Sequence, residues 1–418
     1  MSDFWQKLNK PSSFPQNEES DGKPEASHIG EVKGGNFWKE LGKPIFCLAP
    51  MEEVTDAAFR EMFARYSREE PRTKTKEPLI PASRQDRGAS PPAKEEYPRL
   101  GGGEVVNNFV MFTEFINVDG LTHPEGRKKL AIDLKYTESQ RPIVAQLWGR
   151  SPLKFQEAAK IVLDLGFDGI DINMGCPQDK EIKIGSCAAL IREPQLAIEI
   201  IRSAKKGAGS LPVSVKTRLG YCENTLGTWL RHLLSVEPAV ITLHGRTKKD
   251  KSKVPADWQA IGEAVKIRDE VLGFRFKDKV LIIGNGDIRS RAEALERVKQ
   301  TGVDGVMVGR GAFGNPWFFR EDNYQPKIKE RLSVMLEHAR LFNELLGGQK
   351  SFFIMRKHFK AYASGFDGAP ILRAKLLSAK NLAEAEAVVL DFLKNADDIP
   401  DLRKVSNRIK QYLSLLNN

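Results

Sequence analysis

The sequence predicts an α/β chain: a (β/α)8 TIM barrel followed by a small all-helical bundle. Three observations carry this. Eight short apolar runs recur between residues 45 and 308. Amphipathic helical patterns separate most of them. From about Lys327 onward the pattern becomes helical throughout.

The 418 residues suffice for one large domain and a smaller one, and a hydrophobic content of 41% supports a sizeable core. The formal net charge of +10 and a pI of about 9.2 suggest a polyanionic partner, nucleic acid ahead of an acidic membrane surface. A merely soluble basic protein also satisfies the charge. The four cysteines, Cys47, Cys176, Cys187 and Cys222, form no CxxC pair, so no metal site is expected and a reducing compartment is. No apolar run reaches the ~18 residues that a membrane span needs, so no membrane partner is expected. The first residues lack an apolar signal core. Glu18-Glu19-Ser20-Asp21 argues against a mitochondrial presequence, so the expected location is cytoplasmic. A monomer is expected.

Residues 1–43 form an extension, and residues 12–35, rich in Ser, Pro, Gly, Glu and Lys, are expected to be disordered. Two similar segments flank this stretch. Asp3-Phe4-Trp5-Gln6-Lys7-Leu8 resembles Asn36-Phe37-Trp38-Lys39-Glu40-Leu41, and only the second leads directly into a strand. The barrel is expected over residues 44–322, with strands Ile45–Ala49, Asn108–Phe112, Ile143–Leu147, Gly169–Ile172, Val213–Thr217, Ala239–Leu243, Val280–Gly284 and Gly305–Val308. Helical patterns lie at Pro152–Leu165, Pro194–Lys205, Thr225–Ser235, Asp257–Val271 and Ser290–Gln300. The Pro- and Gly-rich stretch 69–103 reads as an irregular insertion in the first strand–helix–strand unit. A doubly wound open sheet is the alternative. It would normally show GxGxxG after its first strand, where Pro50-Met51-Glu52 stands here. Helices near Glu330–Leu346, Phe352–Ser364, Ala369–Ser378, Ala383–Leu393 and Leu402–Leu416 make a bundle over residues 327–416. Residues 324–418 carry 16 Lys and Arg against 10 Asp and Glu, which makes the tail the better polyanion contact.

In a barrel, the carboxyl ends of all strands face one mouth. In order, those ends hold Pro50-Met51, Thr113-Glu114, Gln146, Asn173 with Cys176, Lys216 with Arg218, His244 with Arg246, Asn285-Gly286-Asp287 and Gly309-Arg310. The last two are candidate phosphate turns, because glycine lets backbone amides approach an anion closely. A tight turn alone would also explain each glycine. Taken singly, Lys216 and His244 read as ordinary surface residues; together at strand ends, Lys216 is suited to stabilising negative charge on a reduced flavin ring and His244 to donating to a ring carbonyl. Gln146 and Asn173 carry amides that suit the edge of a pyrimidine-like ring. Cys176 follows a buried strand in a Gly-Cys-Pro turn. A thiol there is either a buried structural cysteine or a reactive group.

The ordered set resembles the tRNA-dihydrouridine synthase family. The resemblance rests on Leu48-Ala49-Pro50-Met51, Phe112-Thr113-Glu114-Phe115, Gln146-Leu147-Trp148-Gly149, Ile172-Asn173-Met174-Gly175-Cys176-Pro177, Val215-Lys216-Thr217-Arg218, Leu243-His244-Gly245-Arg246, Gly284-Asn285-Gly286-Asp287 and Met307-Val308-Gly309-Arg310-Gly311. Met355-Arg356-Lys357-His358 in the tail also resembles the family's helical RNA-binding domain. The resemblance implies an oxidoreductase in which FMN, reduced by NADPH, reduces the C5–C6 double bond of uridines in tRNA. It implies Cys176 as the general acid. Pro50, Met51, Gln146, Lys216, His244, Asn285, Gly286, Asp287, Gly309 and Arg310 would then bind the cofactor. Asn173, Arg246, Arg356 and Lys357 would bind the tRNA substrate.

Two departures stand out. The insertion at 69–103 lies where the family has a shorter connection. Cys187 lies where small residues such as Gly or Ala are usual in the family, and it leaves a second thiol near the active loop. The competing readings are an FMN barrel acting on a free small molecule and an RNA-binding protein without catalysis.

Overall fold

A computed structural model describes residues 36–67, 108–273 and 279–394. The first Phe-Trp segment, the 69–103 insertion and the helix expected near Leu402–Leu416 lie outside the described residues.

Eight parallel strands close into a barrel in sequential order: β1 (Ile45–Leu48), β2 (Phe109–Asn117), β3 (Ile143–Trp148), β4 (Gly169–Asn173), β5 (Val213–Arg218), β6 (Val240–His244), β7 (Leu281–Asn285) and β8 (Gly305–Val308). β1 pairs with β8, so no edge is left open. The open-sheet alternative is thereby excluded. Helices Pro152–Asp164, Pro194–Ala208, Leu226–Leu234, Trp258–Leu272 and Arg291–Thr301 follow β3 to β7.

Strand periodicity sorts the side chains. Phe46, Leu48, Ala145, Leu147, Ile170, Ile172, Val213, Val215, Ile241, Leu243, Val306 and Val308 share the core between sheet and helices. Their neighbours Ile45, Cys47, Ala49, Val144, Val240, Leu281, Ile283 and Met307 fill the barrel interior with Trp38. Trp38 is buried and stacks on Phe37 at 4.7 Å between ring centroids. The second Phe-Trp segment thus closes the amino-terminal end of the barrel. The same alternation sends Asp171 and Asn173, Ser214 and Lys216, His244 and Asn285 inward, toward the carboxyl end.

β2 runs on past the expected Phe112. Its register with β3 shifts between Phe112 and Phe115, so one extra residue bulges at Thr113-Glu114. Thr113 Oγ1 accepts the Gln146 N–H at 3.1 Å, and Glu114 turns toward the loop after β1.

The helix Ala57–Tyr66, which the apolar pattern does not announce, follows β1. Asp56 caps it by accepting the Phe59 N–H at 2.9 Å. It is buried almost throughout, Arg60 and Glu61 included. Its Ala58 and Met62 belong to the core of the C-terminal helices. Those helices are Ile328–Leu346, Met355–Tyr362, Ala369–Ser378 and Leu382–Lys394. The helix expected over Phe352–Ser364 is split: a 3-10 turn at Phe352–Ile354, with Ser351 accepting the Phe353 N–H, precedes the α-helix. Polar ties fix the helices to the barrel. Lys350 bridges Glu114 and Asp133, Lys357 reaches Glu53 at 3.1 Å, and Arg65 pairs with Glu337 at 2.9 Å.

Candidate functional site

The carboxyl end of the barrel opens into a cavity of about 510 Å³. Pro50, Met51, Lys216, His244, Arg246, Asn285, Gly286, Asp287, Gly309 and Arg310 line it, joined by Ala49, Ile288, Arg289, Met307 and Gly311. The structure therefore brings together residues from β1, β5, β6, β7 and β8 that lie far apart in the chain.

One end of the cavity is built from two glycine turns and cations. Gly286 has φ of 132°, and a Cβ there would stand 2.6 Å from Ala256 Cβ. A Cβ on Gly311 would stand 2.1 Å from the Ile288 carbonyl oxygen. Only glycine permits either approach. Asp287 accepts from Arg246 on one oxygen and from Arg310 on the other, the latter at 3.0 Å. Arg246 is buried, whereas the Arg310 side chain is 66% exposed and can swing onto an anion.

His244 Nε2 lies 3.2 Å from Arg246 Nη1. A guanidinium only donates, so Nε2 is the acceptor and the ring proton belongs on Nδ1. Burial holds this imidazole well below its ordinary pKa, and Lys216, Arg218, Arg246 and Arg310 push the same way. His244 is thus a neutral donor at pH 7.

Lys216 occupies the centre. Its register partner on β4 is Asn173, and its Nζ donates to Asn285 Oδ1 at 3.1 Å. Asn285 in turn donates to the Met307 carbonyl at 2.8 Å. Burial, then Arg218, lowers the Lys216 pKa to about 8, against the attraction of Asp171 and Cys176. The ammonium form still predominates at neutral pH.

Beyond Lys216 lies a second, fully enclosed network outside the cavity lining. Asp171 accepts from Ser214 Oγ and from Gln146 Nε2, both at 2.6 Å. Burial raises its pKa to about 6, opposed by those two hydrogen bonds. Gln146 Oε1 accepts from Asn173 Nδ2 at 2.9 Å. Asn173 Oδ1 takes the N–H groups of Gly175 and Cys176. Gln146 and Asn173 thus have partners within the chain, and together they shape the Gly-Cys-Pro turn.

Cys176 is partly exposed and reduced. The neighbouring Cys187 thiol lowers its pKa below the ordinary thiol value, ahead of the opposing effect of burial. Arg356 and Lys357 lie apart from the cavity, on the helix Met355–Tyr362. The Arg356 guanidinium sits 4.0 Å from the Phe353 ring centroid, and Lys357 is paired with Glu53. Sequence reasoning missed Ala49, Met307 and the Asp171–Ser214 pair. The period-2 alternation of β1, β4, β5 and β8 is the signal that marks them. Ile288 and Gly311 belong to the two candidate phosphate turns, and Arg289 follows the first of them without a mark of its own.

Among the described residues, no helix is long and apolar enough to cross a membrane, and no cluster of His, Cys, Asp and Glu could hold a metal ion.

The family model described as dihydrouridine synthase matches residues 47–397. A probable tRNA-dihydrouridine synthase of Staphylococcus aureus (strain MRSA252) is 37% identical over 365 residues, covering 87% of this chain and 97% of the relative. Probable tRNA-dihydrouridine synthase 2 of Bacillus subtilis (strain 168) is 38% identical over 359 residues, covering 85% and 96%. The matched residues hold all eight strands except the first two residues of β1, together with the described C-terminal helices. This chain belongs to the dihydrouridine synthase family.

Proposed function

We propose that this protein reduces the C5–C6 double bond of uridines in tRNA, using FMN as the bound cofactor and NADPH as the reductant. The observation that carries the reading is the cavity lining, which sets two glycine turns with Arg246 and Arg310 beside Lys216 and His244, while Cys176, outside that lining, is close enough to Lys216 to act on its charge.

The donor set suits FMN. The turns at Gly286 and Gly311, with Arg246 and Arg310, supply backbone amides and positive charge for a phosphate. Ala49, Pro50, Met51 and Met307 supply an apolar wall for a ring system. A cavity of about 510 Å³ falls in the range of small-ligand sites. Once bound and reduced, FMN would supply a hydride to C6 of the uracil.

The chain's own residues do the rest. Protonated Lys216 stabilises negative charge at the ring edge, and neutral His244 donates a hydrogen bond without adding charge. Cys176 Sγ gives its proton to C5. The resulting thiolate lies in the field of Lys216 and Arg218. Gln146 and Asn173 hold the turn that aims this thiol. A uracil stacked inside folded RNA must be turned out to reach it. Arg356 and Lys357 on the outer helices would engage RNA phosphates, which orient the substrate without reading its sequence. The reading puts the enzyme in the cytoplasm, acting as a monomer.

The test is Cys176→Ala. It should keep flavin content and tRNA affinity while lowering dihydrouridine formation about 10²- to 10⁴-fold. Full activity in that variant would remove Cys176 from its assigned role.

A further inference from the structure

The loop after β6 reads Lys248-Lys249-Asp250-Lys251-Ser252-Lys253-Val254, and its four lysines against one aspartate leave a formal charge of +3. Lys249, Lys251 and Lys253 are exposed, and among the described residues none of the three forms an ion pair. Like charges this close repel one another, so the loop must be held from beneath.

Buried cations and backbone pairing supply that support. The N–H groups of Lys248 and Lys249 donate to the carbonyls of Gly220 and Tyr221 after β5, both at 2.9 Å. Asp250 Oδ2 accepts from the Thr247 N–H at 3.0 Å and from its hydroxyl at 2.7 Å, so the one carboxylate folds back onto the start of the loop. Arg246, of the cavity wall, donates from Nε to the Val254 carbonyl at 2.5 Å. Arg218 is buried, and its Nη1 donates to the carbonyls of Thr247 at 3.1 Å and Lys251 at 3.2 Å. Its Nε donates to the Gly175 carbonyl at 2.6 Å, one residue before Cys176. A single guanidinium therefore joins the basic loop to the turn that carries the thiol. Lys251 has φ of 51°, a backbone that glycine or asparagine adopts more readily, so the loop's conformation does not call for lysine there.

The strands run in sequential order around the barrel, so β6 stands across it from β2. The C-terminal helices are tied to the far side, through Lys350 to Glu114 of β2 and through Lys357 to Glu53 after β1. The mouth thus has a basic surface on each side. Tyr221 extends the one at β6, with the Arg192 guanidinium 4.1 Å and Lys248 Nζ 5.1 Å from its ring centroid.

We propose that loop 248–254 is a second RNA contact, on the barrel itself, in which Lys249, Lys251 and Lys253 take backbone phosphates of the nucleotides beside the one turned out into the mouth. The inference rests on the reading of tRNA as substrate. An RNA held on both sides spans the mouth, and Arg218 keeps the phosphate-holding loop in fixed register with Cys176. Contacts to phosphate orient the strand without reading its sequence.

The experiment compares two triple variants of the full chain by filter binding of bulk unmodified tRNA across a range of salt. Lys249→Gln, Lys251→Asn, Lys253→Gln removes the charges of the loop, and asparagine tolerates the positive φ. Lys160→Gln, Lys206→Gln, Lys299→Gln removes as many charges from exposed positions on the outer helices. Near about 0.1 M salt the loop variant should bind at least about tenfold more weakly, and its slope of log affinity against log salt should fall by about 0.7–0.9 for each phosphate released. The helix variant should stay within about twofold of the unsubstituted chain. No loss in the loop variant, or equal loss in both, would overturn the proposal. Dihydrouridine formation by the unsubstituted chain is measured alongside. Its absence would overturn the tRNA reading and this inference with it, whereas conversion with binding indifferent to the loop would overturn only the role of the loop.

Discussion

Asn173 Oδ1 accepts the backbone N–H of Cys176 at 2.9 Å, and in the same stroke that of Gly175 at 3.0 Å. An Asn side chain that bonds the backbone two and three residues ahead fixes a turn. Here the turn carries the thiol assigned to proton transfer. The other end of Asn173 is tied through Gln146 to Asp171 and Ser214. The position of Cys176 is therefore set by a buried chain across β3, β4 and β5. Asn173→Ala should lower dihydrouridine formation at least tenfold and cost about 1–3 kcal/mol of stability, since buried donors lose their acceptor. Asn173→Asp keeps the acceptor and should lose less activity. Equal loss in the two variants, by initial rate on unmodified tRNA, would contradict this.

The imidazoles of His338 and His358 lie 4.6 Å apart between centroids, buried against Phe59. Among the described residues, no ring nitrogen of either has a hydrogen-bond partner. Burial depresses the pKa of His338 to about 3 and that of His358 well below its ordinary value. The sign follows directly. Above about pH 6.5 both rings are neutral, folded or unfolded. Below it the unfolded chain takes up protons first. Unfolding free energy should then fall by about 1.4 kcal/mol per pH unit for each ring. Urea unfolding between pH 7 and 4.5 checks this. His338→Phe should flatten the slope by about half of the histidine contribution. An unchanged slope would show that the pair does not drive the acid sensitivity.

Glu114 and Lys350 join the β2 bulge to the C-terminal helices, with side chains 7% and 12% exposed. Burial raises the Glu114 pKa to about 7, and Lys350 opposes the shift. An acid with a raised folded pKa weakens folding as pH rises from its unfolded value toward the folded one. Lys350→Met removes the opposing charge, so that weakening should extend above pH 7. The substitution should cost up to about 3–5 kcal/mol at pH 8. The cost should be smaller at pH 5.5, where Glu114 protonates. A cost independent of pH would rule out the ion pair as its source.

Arg356 and Lys357 are assigned to RNA phosphates. The double variant Arg356→Ala, Lys357→Ala should weaken tRNA binding and lower the slope of log affinity against log salt by about 0.7–0.9 for each phosphate no longer neutralised. Filter binding from low to moderate salt reads both. Weakened binding with an unchanged slope would mean that the residues act through the Lys357–Glu53 ion pair instead.

The barrel was legible in the sequence because each strand is a short apolar run, and β8 matches its expected limits to the residue. The cavity was legible because most of its residues lie at strand ends. The helix Ala57–Tyr66 was not. It buries Arg60 and Glu61, which read as surface residues, and only the structure supplies Gln140 and the Lys135 carbonyl as partners for the Arg60 guanidinium. The β2 bulge was equally hidden, because Thr113-Glu114 reads as the polar end of a strand that stops at Phe112, whereas the strand runs on through Phe115 and Ile116. Asn173 and Gln146 were expected to face a bound ring. Their mutual hydrogen bond depends on the β3–β4 register, which a linear pattern does not specify.

The proposed activity passes reducing equivalents from NADPH through a flavin to tRNA at one site. The most direct measurement is the visible spectrum of the purified protein under anaerobic conditions, with NADPH and then bulk unmodified tRNA added. A flavin spectrum should bleach with NADPH and return with tRNA. A reduced flavin indifferent to tRNA, or a protein with no flavin, would contradict it.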